Sequence, residues 1–200
     1  MRTRDTNEPW RKDGCGGEGF TLVELLVVLV IVATLASVGF AVMASVIVKA
    51  KVVSAKSGAV GLESAVNHYA SDYGVFPTVL RSAEAGKEGV RADAGLMDIL
   101  LGINKMENPR AAGYYNGKSA SESGKGVGIL SEEGGQDSSG TLVDPFGSAY
   151  HVIVDEDHDG RVPDPDPKSK RKWLWQGVIV YSAGPDGNLE TWEDNVRSWK

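Results

Sequence analysis

The thirty residues from Gly19 to Val48 (GFTLVELLVVLVIVATLASVGFAVMASVIV) constrain this chain more than any other stretch, because after Phe20 they hold one charge, Glu24. Such a run exceeds the roughly 20 apolar residues an α-helix needs to cross a bilayer. Valine, leucine, isoleucine and alanine dominate it and no proline interrupts it, so it predicts one continuous helix. A carboxylate near the start of a membrane span costs on the order of 2.5–3.5 kcal/mol on insertion scales. Hydration of Glu24 at the interface is the simpler reading. A positive group from a neighbouring chain is the reading that offsets the cost.

The residues around that carboxylate carry a family likeness. Gly19-Phe20-Thr21-Leu22-Val23-Glu24-Leu25-Leu26 resembles the processing site of type IV pilins and type II secretion pseudopilins. The resemblance implies that a prepilin peptidase cuts between Gly19 and Phe20 and that Phe20 becomes an N-methylated N-terminus. It also implies that Glu24 neutralises the terminal amine of an adjacent subunit as a filament assembles. Ala41 stands where many members of the family have a proline. On this reading residues 1–19 are a leader, 20–48 a transmembrane and assembly helix, and 49–200 a periplasmic domain that includes the second half of the helix.

Charge narrows the partners. The chain has a net charge of −6, and its first nineteen residues hold four basic and four acidic side chains, so the remainder carries the whole negative balance. Phosphate binding wants a basic face, so nucleic acid is not expected as a partner. The one cysteine, Cys15, falls in the leader, and the mature chain has no disulfide to form. A secretory signal peptide has an apolar core of roughly 7–15 residues, far shorter than this run, which Lys49 and Lys51 end. Arg2, Arg4, Arg11 and Lys12 on one side face Lys49, Lys51 and Lys56 on the other, so charge does not set orientation. A leader in the cytoplasm and a domain outside the inner membrane follow from the resemblance.

Beyond the span, Ala59, Leu62, Val66, Tyr69 and Tyr73 recur at three- and four-residue spacing and draw one apolar helical stripe. Lys56, Glu63, Asn67 and Ser71 fall off it, and Gly74 with Pro77 ends the helix. Tyr69 to Thr78 (YASDYGVFPT) resembles the helix end of the major pseudopilin, where an aromatic-Pro-Thr turn follows a glycine. Residues 92–103 read as a short amphipathic helix with Leu96, Ile99, Leu100 and Ile103 inward. Tyr114-Tyr115 and Val127–Leu130 are candidate short strands, and 116–140 reads as an irregular loop. Asp144-Pro145-Phe146-Gly147 is a turn signal. Ala149–Val154 and Leu174–Ser182 are the two strong strands, and the basic run Lys168–Lys172 between them reads as a solvated hairpin loop beside acidic neighbours, with a docking patch as the alternative. The turn, Tyr150 and Ser182-Ala183-Gly184-Pro185-Asp186-Gly187 resemble the C-terminal part of the major pseudopilin. The fold class is therefore α+β: a long N-terminal helix packed on a small antiparallel sheet.

Two acidic loops are candidates for Ca²⁺. In the segment from Asp155 to Asp166, carboxylates at Asp155, Asp157, Asp159 and Asp166 with Gly160 at the sixth position follow an EF-hand spacing. Pro163, Pro165 and strand-like flanks oppose that reading, and an exposed Asp/Gly-rich turn is the alternative. The second loop runs from Ser182 to Asp194. Here it is the resemblance that implies calcium, held through Asp186, Glu193 and Asp194, and this is the favoured loop of the two because it closes the end of the chain against the sheet.

Catalytic patterns are missing from the sequence. His68, His151 and His158 are scattered, and no nucleophile elbow, phosphate loop or dinucleotide fingerprint occurs. Trp173, Trp175, Trp192 and Trp199 read as packing for a small sheet, with a ligand groove as the alternative. What the resemblance implies is a structural subunit and not an enzyme: a major pseudopilin of type II secretion, homo-oligomeric in a helical filament. Its partners would be the prepilin peptidase, minor pseudopilins, the inner-membrane assembly platform and membrane lipid. A type IV pilin for adhesion, motility or DNA uptake is the near alternative, and a membrane-anchored periplasmic enzyme the distant one.

Overall fold

A computed structural model describes residues 19–81, 88–116, 128–130 and 140–200, without the side chains of 37–44 and 130. The leader expected over 1–19 and Cys15 lie outside the described residues save for Gly19, as does most of the loop expected over 116–140. The chain divides into two compact units, Met1–Ala44 and Ser45–Lys200. One helix, α1 (Leu22–Tyr73), has residues in both.

In the first unit the described side chains of α1 from Leu22 through Leu35 are exposed and, apart from Glu24 and Thr34, apolar all round. A helix apolar on every side has no solvated face and wants lipid or protein around it. Among the described residues no helix is long and apolar enough to cross a membrane.

The second unit is an α+β domain. Ala55, Ala59, Leu62, Ala65, Val66 and Tyr69 of α1 are buried in its core, while Lys56, Asn67 and Ser71 stay exposed. This is the predicted stripe, with Tyr73 half-buried at its end. Gly74 stops the helix at φ 72°, a left-handed position that its missing side chain makes available, and its N–H returns to the Ala70 carbonyl at 2.8 Å.

Four antiparallel strands form the main sheet in the order β1 (Val90–Arg91), β4 (His151–Val154), β7 (Val178–Ser182) and β8 (Val196–Arg197). Its two faces follow the strand alternation. Val152, Val178 and Val180 join the core with α1, whereas Ile153, Ile179 and Tyr181 pack with Val162, Leu174, Trp192 and Trp199 on the opposite side. Every residue of β7 is buried for that reason. Two further pairs stand apart: β2 (Gly128–Leu130) with β3 (Thr141–Val143), and β5 (Val162–Pro163) with β6 (Trp173–Leu174).

Three expectations are corrected. The strand foreseen over Leu174–Ser182 is two strands with different partners, since β6 pairs β5 and β7 pairs β4. Tyr114 and Tyr115 form no strand, because their N–H groups bond the Leu100 carbonyl at the end of α2 (Ala94–Leu100) at 2.7 and 3.2 Å. Ile103 is exposed, and Met97 fills the inward position instead. Asp93 caps α2 by accepting from the N–H groups of Gly95 and Leu96 at 3.0 and 3.4 Å, as an N-cap carboxylate should.

The Asp144 turn ties the domain together. Asp144 is fully buried and accepts three hydrogen bonds: from the N–H of Phe146 at 2.8 Å, the N–H of Ser148 at 2.9 Å and the Ser182 hydroxyl at 2.8 Å. Nearby, the buried Tyr150 hydroxyl donates to the Ala55 carbonyl on α1 at 2.8 Å. The sheet is thus bonded to the helix through polar groups as well as through packing.

Candidate functional site

Two places carry the residues singled out by their chemistry. The first is the start of α1. Thr21 Oγ1 accepts from the Glu24 N–H at 3.3 Å, and Glu24 Oε2 accepts from the Thr21 N–H at 2.9 Å and from its hydroxyl at 2.8 Å. This is a capping box, in which two helix-terminal donors are satisfied reciprocally. Its Thr-x-x-Glu spacing is readable in the sequence and was not used in the prediction. The box fixes Glu24 beside Gly19 and Phe20, which precede the helix, and Phe20 is 84% exposed. The three residues expected to govern processing and assembly therefore sit together at one exposed helix entrance.

The second place is the turn after β4. Asp155 is buried while Asp157 and Asp159 are exposed, and each offers a carboxylate oxygen within 4.8 Å of the others. Asp155 shapes the loop from inside, accepting from the Asp159 N–H at 3.1 Å and the Gly160 N–H at 2.7 Å. His158 takes φ 56° and stacks on Phe76 at 5.7 Å between centroids. Asp159 also pairs with Arg161 at 2.5 Å. A carboxylate oxygen that accepts one N–H keeps a second lone pair, so the three acids can hold a metal such as calcium. Asp166, the expected twelfth ligand, turns away to accept from the Lys168 N–H at 2.8 Å. The loop offers the first half of an EF-hand donor set without its closing carboxylate.

The C-terminal acids are engaged separately. Asp186 Oδ1 accepts from the Asn188 N–H at 2.9 Å and Oδ2 from the Thr191 hydroxyl. Those bonds hold its carboxyl below the ordinary range, the Thr191 hydroxyl contributing most. Glu193 pairs with Lys168 at 3.0 Å, which likewise lowers its pKa. Among the described residues the set that gathers for a metal is Asp155, Asp157 and Asp159, and not Asp186, Glu193 and Asp194. The loop is closed at its base instead by backbone. Gly184, at φ 67°, lies so near the Asp194 carbonyl that a Cβ there would meet its oxygen at 2.3 Å.

The histidines stay apart. His68 is exposed on α1, and His151 stacks on Tyr181 at 5.5 Å with Nδ1 facing the Glu88 carbonyl at 3.3 Å. Burial lowers the His151 pKa from its ordinary value, with Arg91 adding in the same direction and the Glu88 contact opposing. The folded state then favours neutral imidazole, so below about pH 6.5 the unfolded chain takes up a proton first. Stability is expected to decline from there to the folded pKa and then level. Urea denaturation at pH 7.5 and pH 5 should show His151→Gln flattening that decline. An unchanged slope would assign the pH response elsewhere.

Of the tryptophans, Trp192 and Trp199 are buried and Trp173 and Trp175 exposed. Trp192 also borders an open cleft of about 790 Å³ with Tyr181, Leu189 and Pro165. Packing accounts for the first two, as expected, and leaves the others without a structural role.

With this geometry described, the comparisons can be placed. Residues 18–40 match the prokaryotic N-terminal methylation motif. No curated protein and no solved structure matches the chain.

Proposed function

We infer that the chain is a prepilin-type filament subunit, since an N-terminal methylation motif stands ahead of a long helix and an antiparallel sheet, a pilin-like arrangement. The motif implies processing by a prepilin peptidase, anchorage in the inner membrane and assembly into a filament. We propose that this chain is the structural subunit of a type II secretion pseudopilus, spanning the inner membrane through residues 20–48. Adding subunits at the base would extend a periplasmic filament that drives proteins outward, a mechanical role with no bond made or broken. The observation that carries the reading is the exposed entrance Gly19-Phe20 with Glu24 fixed beside it. A type IV pilin shares that entrance, and the aspartate-rich C-terminal loop is what favours the pseudopilin.

Mass analysis of protein purified from membranes together with a prepilin peptidase is the direct test. The mature chain should begin at Phe20 and carry one added methyl group. A start at Met1, or after a later small residue such as Ala36, would remove the prepilin assignment.

Calcium belongs to the same proposal, and the gathered carboxylates of Asp155, Asp157 and Asp159 support the Asp155 loop as its site. Four acids within residues 155–159 face one neighbouring cation, Arg161. A divalent ion would relieve that repulsion, and at 100 times its dissociation constant it would stabilise the domain by about 2.7 kcal/mol. The full chain in detergent should melt higher in calcium than in chelator. Asp157→Asn is expected to remove most of the difference, and it takes no hydrogen bond from the loop. Asp186→Ala should remove little; the opposite order would return the site to the C-terminal loop.

A further inference from the structure

The β5–β6 hairpin carries a surface that none of these readings uses. Trp173 lies on β6 and Trp175 in the bend that follows it, where the Gln176 N–H returns to the Leu174 carbonyl at 2.9 Å, and Leu174 between the two indoles is buried. The tryptophans are 45% and 77% exposed. Arg161 crosses from the partner segment, its guanidinium carbon 4.7 Å from the Trp173 ring centroid and 5.9 Å from that of Trp175. Single exposed apolar residues are ordinary. Two tryptophans joined by a stacked arginine have the composition of an interface hot spot.

Charge says what would cover it. Residues 161–175 hold five basic and two acidic side chains in a chain of net charge −6, so the rest of the molecule is more acidic than the whole. Arg161 and Lys168 are matched by Asp159 and Glu193. Lys170 and Lys172 are exposed and have no ion pair among the described residues, and the exposed Arg171 donates to the Lys200 backbone oxygen at 3.2 Å without a side-chain ion pair. Resting on the reading of the chain as a filament subunit, we propose that this hairpin is one half of a head-to-tail contact whose occupant is the acidic surface of a second copy of the chain. Identical subunits in an open filament meet through two different patches, so a patch must find its complement elsewhere on the same sequence. The exposed acids Glu156 and Glu190 supply the opposite sign. The indoles provide desolvated area, and the charges select the partner and disfavour like-charged registers.

The test uses full chain produced with prepilin peptidase, as an equal mixture of unlabelled and ¹⁵N-labelled protein treated with a carbodiimide that joins lysine amines to carboxylates. Isotopically mixed links from Lys170 or Lys172 to acidic peptides of the other copy are expected. K170E/R171E/K172E should lower the yield of glutaraldehyde-linked oligomers about tenfold, as expected when like charges are brought face to face. W175A should lower it severalfold, and K170R/K172R should retain oligomers. All four side chains are exposed, so unchanged melting temperatures would separate lost contact from lost folding. Links confined to single copies, or undiminished oligomers in the charge-reversed variant, would overturn the proposal. So would binding of the hairpin to phosphatidylglycerol vesicles without mixed links. If oligomers dependent on Glu24 persist while the hairpin variants change nothing, this contact fails and the filament reading stands. Wild-type protein that neither starts at Phe20 nor oligomerises would remove both.

Discussion

Asp144→Ala is expected to lower the stability of the folded domain by about 3–5 kcal/mol, since hydrogen bonds to charged groups contribute roughly 1.5–3 kcal/mol each. The substitution strips the acceptor from two part-buried backbone N–H groups and from the buried Ser182 hydroxyl. Domains of this size have a total stability of roughly 5–15 kcal/mol, so the loss is a large share. Burial, and then the neighbouring Asp144, push the Tyr150 phenol upward. Urea denaturation of the full chain in detergent would measure the effect. Asp144→Asn keeps an oxygen in place and should lose less than alanine does. A loss under about 1 kcal/mol, the value for one ordinary neutral hydrogen bond, would show that water replaces the carboxylate.

Glu24→Ala is expected to abolish the ladder of crosslinked oligomers in membranes while leaving insertion equal or better. Removing a carboxylate from the start of the span removes an insertion cost of roughly 2.5–3.5 kcal/mol. What disappears is attraction to a neighbour's terminal amine, which strengthens where the dielectric constant is low. The capping box gives this experiment an internal control. Thr21→Val removes the helix cap, worth about 1 kcal/mol, and keeps the charge. Glu24→Gln removes the charge and keeps an acceptor for the Thr21 N–H. If charge pairing drives assembly, the ladder survives in Thr21→Val and vanishes in Glu24→Gln. The reverse pattern would mean that the helix cap, and not the carboxylate charge, is what assembly requires.

The parts of the fold that were legible in the sequence are those where one element buries one face. The stripe from Ala59 to Tyr69 has a wet side and a dry side, so its period stands out. β7 is covered on both faces, so Val178 to Tyr181 reads as one unbroken apolar run, to which Leu174 and Trp175 are easily joined. Gln176-Gly177 marks the break where the chain changes partners, a breaker signal that the neighbouring apolar residues outweigh. Tyr114 and Tyr115 have strand propensity, yet they are used to close the end of α2 by hydrogen bonds that depend on tertiary position. The Asp155 loop could be read because its donors are close in sequence and its glycine falls where the turn needs one. The engagement of Glu193 could not, because Lys168 lies 25 residues away. The Thr21–Glu24 box was readable, and the membrane argument drew attention to the carboxylate's cost instead of its local partner.

The bond from the Asp155 N–H to the Gly177 carbonyl, 2.8 Å long, shuts the base of everything between β4 and β7. In folding terms, the two central strands of the sheet are a single hairpin whose ends must meet across some twenty residues. Closing such a loop instead of a tight four-residue turn adds about 1.5 kcal/mol of chain entropy, at about 0.6 kcal/mol per doubling. Local pairing of β5 with β6 shortens the effective loop before the ends meet, because Val162 and Leu174 already lie opposite each other. The hairpin tip would then act as a folding clasp. Weakening Val162 or Leu174 should slow refolding as well as lower stability, whereas changes to the exposed indoles should leave the refolding rate untouched.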